Sequence, residues 1–373
     1  MPPLTQPIAP AARRPYLFLD LGFYAACNLK CTYCRDEIVR DDRAFALADL
    51  IAQIELFQAR FRAGVVKLSG YGEITMWRDF RAGLDYLAAR FPSVQVISNG
   101  TFGDAARDAV LAHGNISPNI TLDGHLIGLN RLRVGDSMRL HGRILDNVAA
   151  FLRAGRPIEI NCVLHEHNAD GFPAFCDHLE RLDDGRGLLM LFPFPVKSFD
   201  RARGAAAPLR TGLQRLADRI PDLWRDHAAI LPAASYGREL SSVLEQGQRD
   251  GACHVHWANL GSGSRNERLH CPNYGEDLSY GAMLESLGER ADAIGREEAA
   301  HLRAGHVGPN CAGCYNHFHV INHYLEGAMS LSDLCRIPSL RPPGVAPIAQ
   351  AVKDLFDVAR RADPPTLHAS ATP

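Results

Sequence analysis

The chain has 373 residues, with 40 lysines and arginines against 42 aspartates and glutamates, which gives a formal net charge of −2. The length suggests two or three domains, and the near-neutral charge argues against nucleic acid or an anionic membrane as a partner. No apolar run approaches the roughly 20 residues of a membrane span, and the N-terminus carries no secretion signal. We therefore expect a cytoplasmic protein whose ten cysteines are free thiols or metal ligands rather than disulfides.

From residue 15 to about residue 192, short apolar runs alternate with amphipathic stretches of helical spacing. The predicted strands are 16–21, 65–69, 94–98, 119–122, 158–164 and 188–192. The predicted helices between them are 45–61, 79–90, 105–113, 144–154 and 172–182. This alternation predicts an α/β fold, a partial (β/α)6 TIM-like barrel whose chemistry lies at the carboxyl ends of its strands.

The pattern changes after the barrel. Two alternating runs, 254–260 and 265–270, are joined by Gly-Ser-Gly-Ser and predict a hairpin. Further helices are predicted near 209–225, 239–246, 291–303, from 315 onward and over 348–361. The expected organisation is an N-terminal extension (1–14), the barrel (15–200), a helical connector (201–250), a small α+β domain (251–335), and a C-terminal helix with a tail (336–373).

Three cysteines, Cys27, Cys31 and Cys34, lie within eight residues directly after the first predicted strand. Thiolates suit iron–sulfur clusters or zinc, and three ligands leave one iron of a four-iron cluster open to a substrate or cosubstrate. A zinc knuckle is the alternative reading of this loop. The C-x3-C-x2-C spacing, with Tyr33 before the last cysteine, resembles the signature of the radical SAM superfamily.

This resemblance implies a [4Fe–4S] cluster on the three cysteines, with S-adenosylmethionine bound to its open iron. Reductive cleavage would then yield a 5′-deoxyadenosyl radical that abstracts a substrate hydrogen. In the family, an aromatic residue such as Tyr33 packs near the adenine. A flavodoxin or ferredoxin is the usual reductant.

Three later segments resemble family motifs at successive strand ends. Residues 68–73 resemble the glycine-rich segment that ends in Gly-Glu, although Ile74 stands where proline is usual. By this resemblance Gly70, Gly72 and Glu73 would bind the methionyl amino group. Ser98 and Asn99 follow the third predicted strand and would reach the ribose or carboxylate of the cofactor. Residues 121–124, Thr-Leu-Asp-Gly, resemble the family's Ser-Leu-Asp-Gly segment.

A second group of cysteines follows the barrel: Cys253, Cys271, Cys311 and Cys314. Four thiolates in this frame suit a closed structural zinc site or a fully ligated iron–sulfur cluster equally well. The spacing resembles the twitch domain, a shortened relative of the SPASM domain, which implies one auxiliary [4Fe–4S] cluster.

The other cysteines and the histidines carry weaker signals. For the cysteines outside both groups, Cys162, Cys176 and Cys335, packing is the default interpretation. Two clusters of histidines, residues 254 and 256 and residues 317, 319 and 323, are interpreted as hydrogen-bonded or partly exposed side chains rather than ligands.

Oxidation of a substrate radical needs a base near the barrel mouth. The candidates at strand ends are Glu166, His165 and Asp123, and two arginines, Arg131 and Arg133, are candidates to orient a polar substrate. None of these residues belongs to a specific motif.

The sequence predicts a radical SAM enzyme that carries out dehydrogenation-type chemistry on a small polar metabolite. Only about fifteen residues precede the first predicted strand, which favours a metabolite over a ribosomally made peptide because peptide-modifying relatives often carry a fused leader-binding domain there. The alternatives are a peptide maturase and a non-catalytic protein with two zinc sites.

Overall fold

The structure is a computed structural model that describes residues 13–24, 26–34, 45–70, 72–196, 211–249, 251–263, 267–269, 278–279 and 314–362. Several predictions lie outside these residues. They are the start of the connector near 201–207, the helix at 291–303, the tail beyond 362, and the two cysteines Cys271 and Cys311.

The barrel region consists of parallel strands connected by helices, as the alternating pattern predicts. The first six strands are β1 (Arg14–Tyr24), β2 (Phe61–Gly70), β3 (Ser93–Ser98), β4 (Ile116–Thr121), β5 (Ile158–Leu164) and β6 (Leu189–Pro195). The helices are α1 (Leu47–Arg60), α2 (Phe80–Ala88), α3 (Asp104–Leu111), α4 (Arg131–Val134), α5 (Met138–Arg153) and α6 (Phe172–Asp183). Each strand pairs in parallel with the next one, so all carboxyl ends lie at one edge of the sheet.

A seventh parallel strand, β7 (Asn259–Gly263), extends the barrel sheet on the free side of β1. It pairs with residues Phe18 to Gly22, and β8 (Glu267–Leu269) and β9 (Leu278–Ser279) follow it in antiparallel order. The prediction of six parallel strands was therefore one strand short. The predicted hairpin forms, but as part of the barrel sheet, because the exposed backbone groups of β1 pair with it. Strands from before and after residue 251 therefore belong to one sheet.

The run predicted as the first strand of this hairpin begins as a helix. Residues Val255–Ala258 form α9, and the strand begins only at Asn259. The tertiary contacts explain the difference. The His254 amide donates to the Asn322 Oδ1 atom at 2.8 Å, and the Trp257 ring packs on Phe356, so the alternating pattern there serves helix packing instead of a pleat.

The two faces of the sheet have different partners. Right-handed crossovers place the helices on the outer face, where Cys162 of β5 and Cys176 of α6 are both fully buried. This agrees with packing roles for these two cysteines. The inner face carries a row of buried polar side chains, contributed by the five strands β1 to β5: Asp20, Lys67, Gln95, Asn119 and Glu159.

The chain after the barrel packs against this inner face. The helices there are α7 (Thr211–Asp226), α8 (Ala234–Gln246), α10 (Val320–Leu325), α11 (Leu331–Leu334) and α12 (Ala346–Ala362). The Ser339 amide, in a 3-10 turn at Pro338–Leu340, donates to the Glu159 Oε1 atom at 2.8 Å. Among the described helices, none is both long and apolar enough to cross a membrane.

Candidate active site

The loop of Cys27, Cys31 and Cys34 lies at the carboxyl end of β1, and all three side chains are at least partly exposed. The Cys34 amide donates to the Cys31 carbonyl at 3.1 Å, which makes a tight turn between the last two cysteines. Within the described residues no three Cys, His, Asp or Glu side chains meet the geometry of a metal site. The donor set nevertheless fits an iron–sulfur cluster, because three accessible thiols share one short loop.

The loop is bonded to the Gly-Glu segment after β2. The Gly72 amide donates to the Tyr24 carbonyl at 3.0 Å, and the Glu73 amide donates to the Ala26 carbonyl at 2.8 Å. Gly70 is the last residue of β2 and pairs with Tyr24. The two motifs, more than thirty residues apart in sequence, therefore form one backbone unit at the barrel mouth.

Glu73 is only 1% exposed and joins this unit to the end of β3. One carboxylate oxygen accepts from the Ser98 hydroxyl at 2.7 Å and from the Thr75 hydroxyl at 2.5 Å, and the other accepts from the Asn99 amide at 2.6 Å. Burial raises the pKa of Glu73, and these hydrogen bonds oppose that rise. The structure thus brings three predicted cofactor-binding residues into one network.

Asn99 extends the network back to the cysteine loop. Its side-chain amide donates to the Asn28 Oδ1 atom at 2.8 Å and lies 3.7 Å from the Cys27 sulfur. Asn28 in turn donates to the Thr101 hydroxyl at 2.7 Å. Asn28 and Thr101 were not predicted from the sequence, although both lie inside motif segments.

On the other side, the short helix α4 holds the same loop. The Thr32 amide donates to the Leu132 carbonyl at 2.9 Å. The neighbouring Arg133 is buried and donates to the Thr121 carbonyl and, at 3.3 Å, to the Asn99 carbonyl. By contrast, the side chain of Arg131 is 67% exposed and pairs with Asp136, so it lies on the surface.

Tyr33, Asp123 and His165 meet at the ends of β4 and β5. The Tyr33 hydroxyl donates to the Asp123 Oδ2 atom at 2.6 Å, and the Val163 amide donates to Oδ1 at 3.0 Å. The His165 Nε2 atom lies 3.8 Å from the same Oδ2 atom. Burial is the largest effect on Tyr33, and together with the Asp123 charge it keeps the pKa of Tyr33 well above the usual value.

The His165 imidazole is 6% exposed, and neither ring nitrogen has a hydrogen-bond partner among the described residues. Its backbone amide is held by the Asn168 Oδ1 atom at 2.8 Å, while Asn168 Nδ2 donates to the Asp123 carbonyl at 3.0 Å. A buried imidazole with unused nitrogens beside a carboxylate is suited to bind or deprotonate a substrate.

Glu166 has a different environment from the other two candidate bases. Its carboxylate accepts from the Gly212 amide at 3.0 Å and from the Leu213 amide at 3.2 Å, at the first turn of α7. Such a carboxylate caps a helix N-terminus and stabilises its dipole. Asp123 and His165 therefore lie together, whereas the Glu166 carboxylate lies at the N-terminus of α7.

Aromatic side chains of the 3-10 turn His317–His319 contact the inner face of the sheet at β1 and at β6. Phe318 packs edge-to-face on Phe18 of β1 with ring centroids 5.7 Å apart, and His317 lies 6.1 Å from Phe194 of β6. The Lys67 ammonium lies 3.3 Å from the centroid of the Phe318 ring. The same ammonium forms an ion pair with Asp20, with 3.3 Å between Nζ and Oδ2.

Of the second cysteine group, the described residues include Cys253 and Cys314, both of them partly buried. Side chains hold the backbone on either side of Cys253, and after it Asn322 of α10 accepts from the His254 amide at 2.8 Å. Arg249 donates to the Gly251 and Ala252 carbonyls at 3.1 and 3.3 Å. Beyond Cys314, the Tyr315 hydroxyl donates to the Tyr236 carbonyl of α8 at 2.7 Å.

The histidines near this group take part in ion pairs. His254 lies 2.9 Å from Glu326, and His323 lies 3.1 Å from Glu239, which also faces Arg249 at 3.7 Å. The interpretation of these histidines as hydrogen-bonded side chains agrees with this arrangement.

Comparisons with known proteins were made at three levels, and no family model matches the chain. A probable GTP 3′,8-cyclase of Methanocella arvoryzae is 32% identical over 152 residues, which cover 39% of this chain and 47% of that protein. The neomycin C epimerase of Streptomyces fradiae is 27% identical over 248 residues, which cover 65% of this chain and 73% of that protein. The chain thus spans about half the length of the cyclase.

Solved structures share the fold. A structure of SuiB of Streptococcus suis bound to S-adenosylmethionine superposes with a TM-score of 0.54 at 15% identity and covers 73% of this chain and 63% of that one. Native anSMEcpe with bound AdoMet superposes with a TM-score of 0.56 at 14% identity and covers 92% of this chain and 97% of that one.

The parallel barrel, the motifs at four successive strand ends and these relatives agree with one another. If the short cysteine motif matched the family signature by chance, the Gly-Glu, Ser-Asn and Thr-Leu-Asp-Gly segments would not be expected around it. These relatives and the shared fold agree with the predicted resemblance of the chain to the radical SAM superfamily.

Proposed function

We propose that the chain cleaves S-adenosylmethionine reductively and abstracts a hydrogen atom from a small polar metabolite, which it then modifies by a dehydrogenation-type reaction. The observation that carries this proposal is the bonding of the three-cysteine loop to Glu73 and Asn99 at the barrel mouth. When bound, the cluster and S-adenosylmethionine supply the 5′-deoxyadenosyl radical.

The residues of the chain have distinct roles in this proposal. Cys27, Cys31 and Cys34 hold the cluster through their thiolates. Gly72 leaves room for the methionyl group and Glu73 presents negative charge toward its ammonium, with Ser98 and Asn99 fixing the carboxylate of Glu73. Gly70 and Tyr33 complete the cofactor cradle.

The four cysteines of the second group would hold an auxiliary [4Fe–4S] cluster that accepts the electron left on the oxidised substrate. The support is the donor set itself and the way the neighbours of Cys253 and Cys314 are tied to α8 and α10. With four protein ligands such a cluster has no open iron, so electron transfer is its expected role.

The Asp123 and His165 pair is the proposed base. Asp123 is oriented by Tyr33 and by the Val163 amide, and it holds negative charge beside the imidazole. His165 would take the proton from the hydroxyl group on the substrate's radical carbon as that carbon is oxidised to a carbonyl, and the electron would pass to the auxiliary cluster. Glu166 is not assigned this role, because two backbone amides already use its carboxylate.

A polar metabolite is favoured over a peptide by the sequence relative and by the inner face. The neomycin C epimerase matches 65% of this chain in sequence. Aromatic rings beside a carboxylate and an ammonium, as at Phe318, Asp20 and Lys67, suit a ring with hydroxyl or amino groups. The peptide alternative is supported by SuiB and anSMEcpe, whose structures include complexes with peptides but whose likeness is one of fold.

The experiment is anaerobic reconstitution with iron and sulfide, followed by reduction with dithionite or a flavodoxin or ferredoxin as reductant. About eight irons per chain and reduction-dependent 5′-deoxyadenosine support the proposal. A colourless protein with two zinc ions would establish the non-catalytic alternative. Deuterated aminocyclitols and aminoglycosides, with a peptide substrate as comparison, identify the substrate class through deuterium transfer to 5′-deoxyadenosine.

A further inference from the structure

A cavity of about 560 Å³ lies at the amino-terminal ends of β3, β4 and β5, at the opposite edge of the sheet from the cysteine loop. The chain around the 3-10 turn Pro338–Leu340 forms its other side. Its volume falls in the range of about 300–1,000 Å³ that is typical of small-molecule sites. The proposed radical chemistry does not use this edge of the barrel.

The walls of this cavity are mostly apolar, and two buried hydroxyl groups interrupt them. The apolar part is built largely by five proline rings, which are stiff: Pro92, Pro157, Pro338, Pro342 and Pro343. The polar part includes Ser93 and Ser117, which are 0% and 5% exposed. Neither hydroxyl has a hydrogen-bond partner among the described residues. Buried polar groups normally have a partner, so these two hydroxyls point to a ligand with polar atoms.

Two arginines bring positive charge to the same cavity. Arg341 lines it, and one terminal nitrogen of its guanidinium donates to the Gly187 and Arg336 carbonyls at 2.9 Å each. Arg156 lies beside it and donates to the carbonyl of the lining residue Ile116 at 3.2 Å. In the described part of the chain, neither arginine forms an ion pair with a carboxylate. Backbone carbonyls are thus their hydrogen-bond partners.

The surroundings of these arginines disfavour their charge. Burial lowers the pKa of Arg156, and it lowers the pKa of Arg341 although the charges of Asp183 and Glu159 oppose that effect. Arginine nevertheless stays protonated in proteins, so both side chains remain cations. Partly buried cations are stabilised by an anion that pairs with them. The cavity therefore lacks negative charge where its two arginines meet it.

We infer that this cavity binds a small organic anion, whose carboxylate or phosphate group pairs with Arg341 and Arg156 and whose apolar part packs on the proline rings. The planar guanidinium fork matches the geometry of both anionic groups. The Ser93 and Ser117 hydroxyls can donate to the remaining oxygens of the ligand. Binding forms and breaks no covalent bond and does not involve the cluster. Its failure would leave the proposed function untouched.

The test measures binding of three probes to the full chain by isothermal titration calorimetry: phenyl phosphate, benzoate and the neutral phenol. We expect phenol to bind at least tenfold more weakly than the better of the two anions, because it lacks the charge-assisted hydrogen bonds. The comparison of the two anions tells whether the site prefers a phosphate or a carboxylate. Phenol that binds as tightly as both anions, or the absence of saturable binding of all three probes, overturns the inference.

Variants then locate the bound anion. Arg341→Gln should weaken its binding about tenfold or more. The matched control is Arg336→Gln, because Arg336 also donates to two carbonyls, those of Ala228 and Ala229, but does not line the cavity. This control should bind the anion as the wild type does. Equal affinities of Arg341→Gln and the wild type would place the anion elsewhere and overturn the inference.

A second pair of variants covers the case in which Arg341→Gln does not fold. Gly114 lines the cavity, and a Cβ atom there would have the Arg156 Nη1 atom at 4.0 Å as its nearest neighbour, so a side chain fits. Gly114→Glu supplies a carboxylate to the site, and Gly114→Gln is its neutral match. We expect Gly114→Glu to bind phenyl phosphate at least tenfold more weakly than Gly114→Gln and to melt at a higher temperature. Equal affinities and melting temperatures in the two variants contradict the site.

Discussion

The two cysteine groups are organised in opposite ways. The first places three thiols within one loop, which is fixed by hydrogen bonds to the ends of the neighbouring strands. The second spreads its four cysteines over more than sixty residues, and helices hold the chain just after Cys253 and just after Cys314. A loop that holds all its ligands can be recognised from the spacing of its cysteines. Whether the cysteines of the second group meet depends on how the helices and strands that carry them pack.

The comparison also teaches how the two regions are joined. One continuous sheet links them, because β7 follows Cys253 and pairs with β1, which leads into the first group. Five sets of variants test how each of these regions works, from the largest expected effect to the smallest.

The strongest test removes the first group. Replacing Cys27, Cys31 and Cys34 with alanine should abolish 5′-deoxyadenosine formation and leave about four irons per chain, because the auxiliary ligands remain. Iron and sulfide analysis with chromatography of the nucleoside measures both outcomes. Cys335→Ala is the control and should keep full iron. Complete loss of iron in the triple variant would show that the two groups do not load independently.

The reciprocal variant alters the second group. Cys253→Ala with Cys314→Ala should remove about four irons and abolish substrate oxidation. Slow cleavage of S-adenosylmethionine without substrate should remain, since the three-cysteine loop is intact. Assays of 5′-deoxyadenosine with and without substrate separate these effects. Unchanged substrate oxidation would contradict the role of an electron acceptor.

A third variant weakens the cradle of the first group. Glu73→Gln should reduce the affinity for S-adenosylmethionine about tenfold to a hundredfold, because a charged hydrogen bond is worth roughly 1.5–3 kcal/mol. Equilibrium binding to the reconstituted protein measures it. Glu166→Gln, which changes a carboxylate outside this network, should bind as the wild type does.

A fourth variant weakens the hydrogen bond between Glu159 of the barrel and the Ser339 amide, which follows the second cysteine group in sequence. Glu159 accepts from Gln95, Asn119 and the Ser339 amide, so Glu159→Gln turns an amide toward donors and should cost about 2 kcal/mol of unfolding free energy. Thermal unfolding of the reconstituted protein measures it. An unchanged melting temperature would contradict this tie.

The same residue predicts a pH dependence. Burial raises the pKa of Glu159 above its ordinary value of 4.5, with the hydrogen bonds opposing the rise. Between 4.5 and the raised value the folded state binds more protons than the unfolded state, so the contribution of Glu159 to stability declines as pH rises through that window. The stability difference between wild type and Glu159→Gln should therefore shrink with rising pH, and a widening difference would contradict it.

The smallest effect is expected at Glu166. Glu166→Gln should lower the unfolding free energy by about 1 kcal/mol, because it weakens the cap of α7, and should leave product formation intact. Chemical denaturation and a product assay measure these separately. His165→Ala is the matched comparison and should reduce product formation while S-adenosylmethionine is still cleaved. Loss of product formation in Glu166→Gln would instead identify Glu166 as the base.

The sequence by itself determined the barrel and its motifs. Strand and helix positions follow from apolar periodicity, which depends on neighbours within a few residues, and the three-cysteine loop follows from its spacing. Because parallel strands end at one edge, the sequence also predicted that Glu73, Ser98, Asn99 and Asp123 would lie around that loop, where the structure brings them together.

Only the tertiary structure decided the partners of individual side chains. Glu166 and His165 are neighbours in sequence, yet one caps α7 and the other faces Asp123. Likewise Arg133 and Arg131 differ in burial because one faces the loop and the other faces solvent. The seventh strand escaped prediction for the same reason, since β1 and β7 are more than two hundred residues apart, and long-range pairing depends on the complete fold rather than on local pattern.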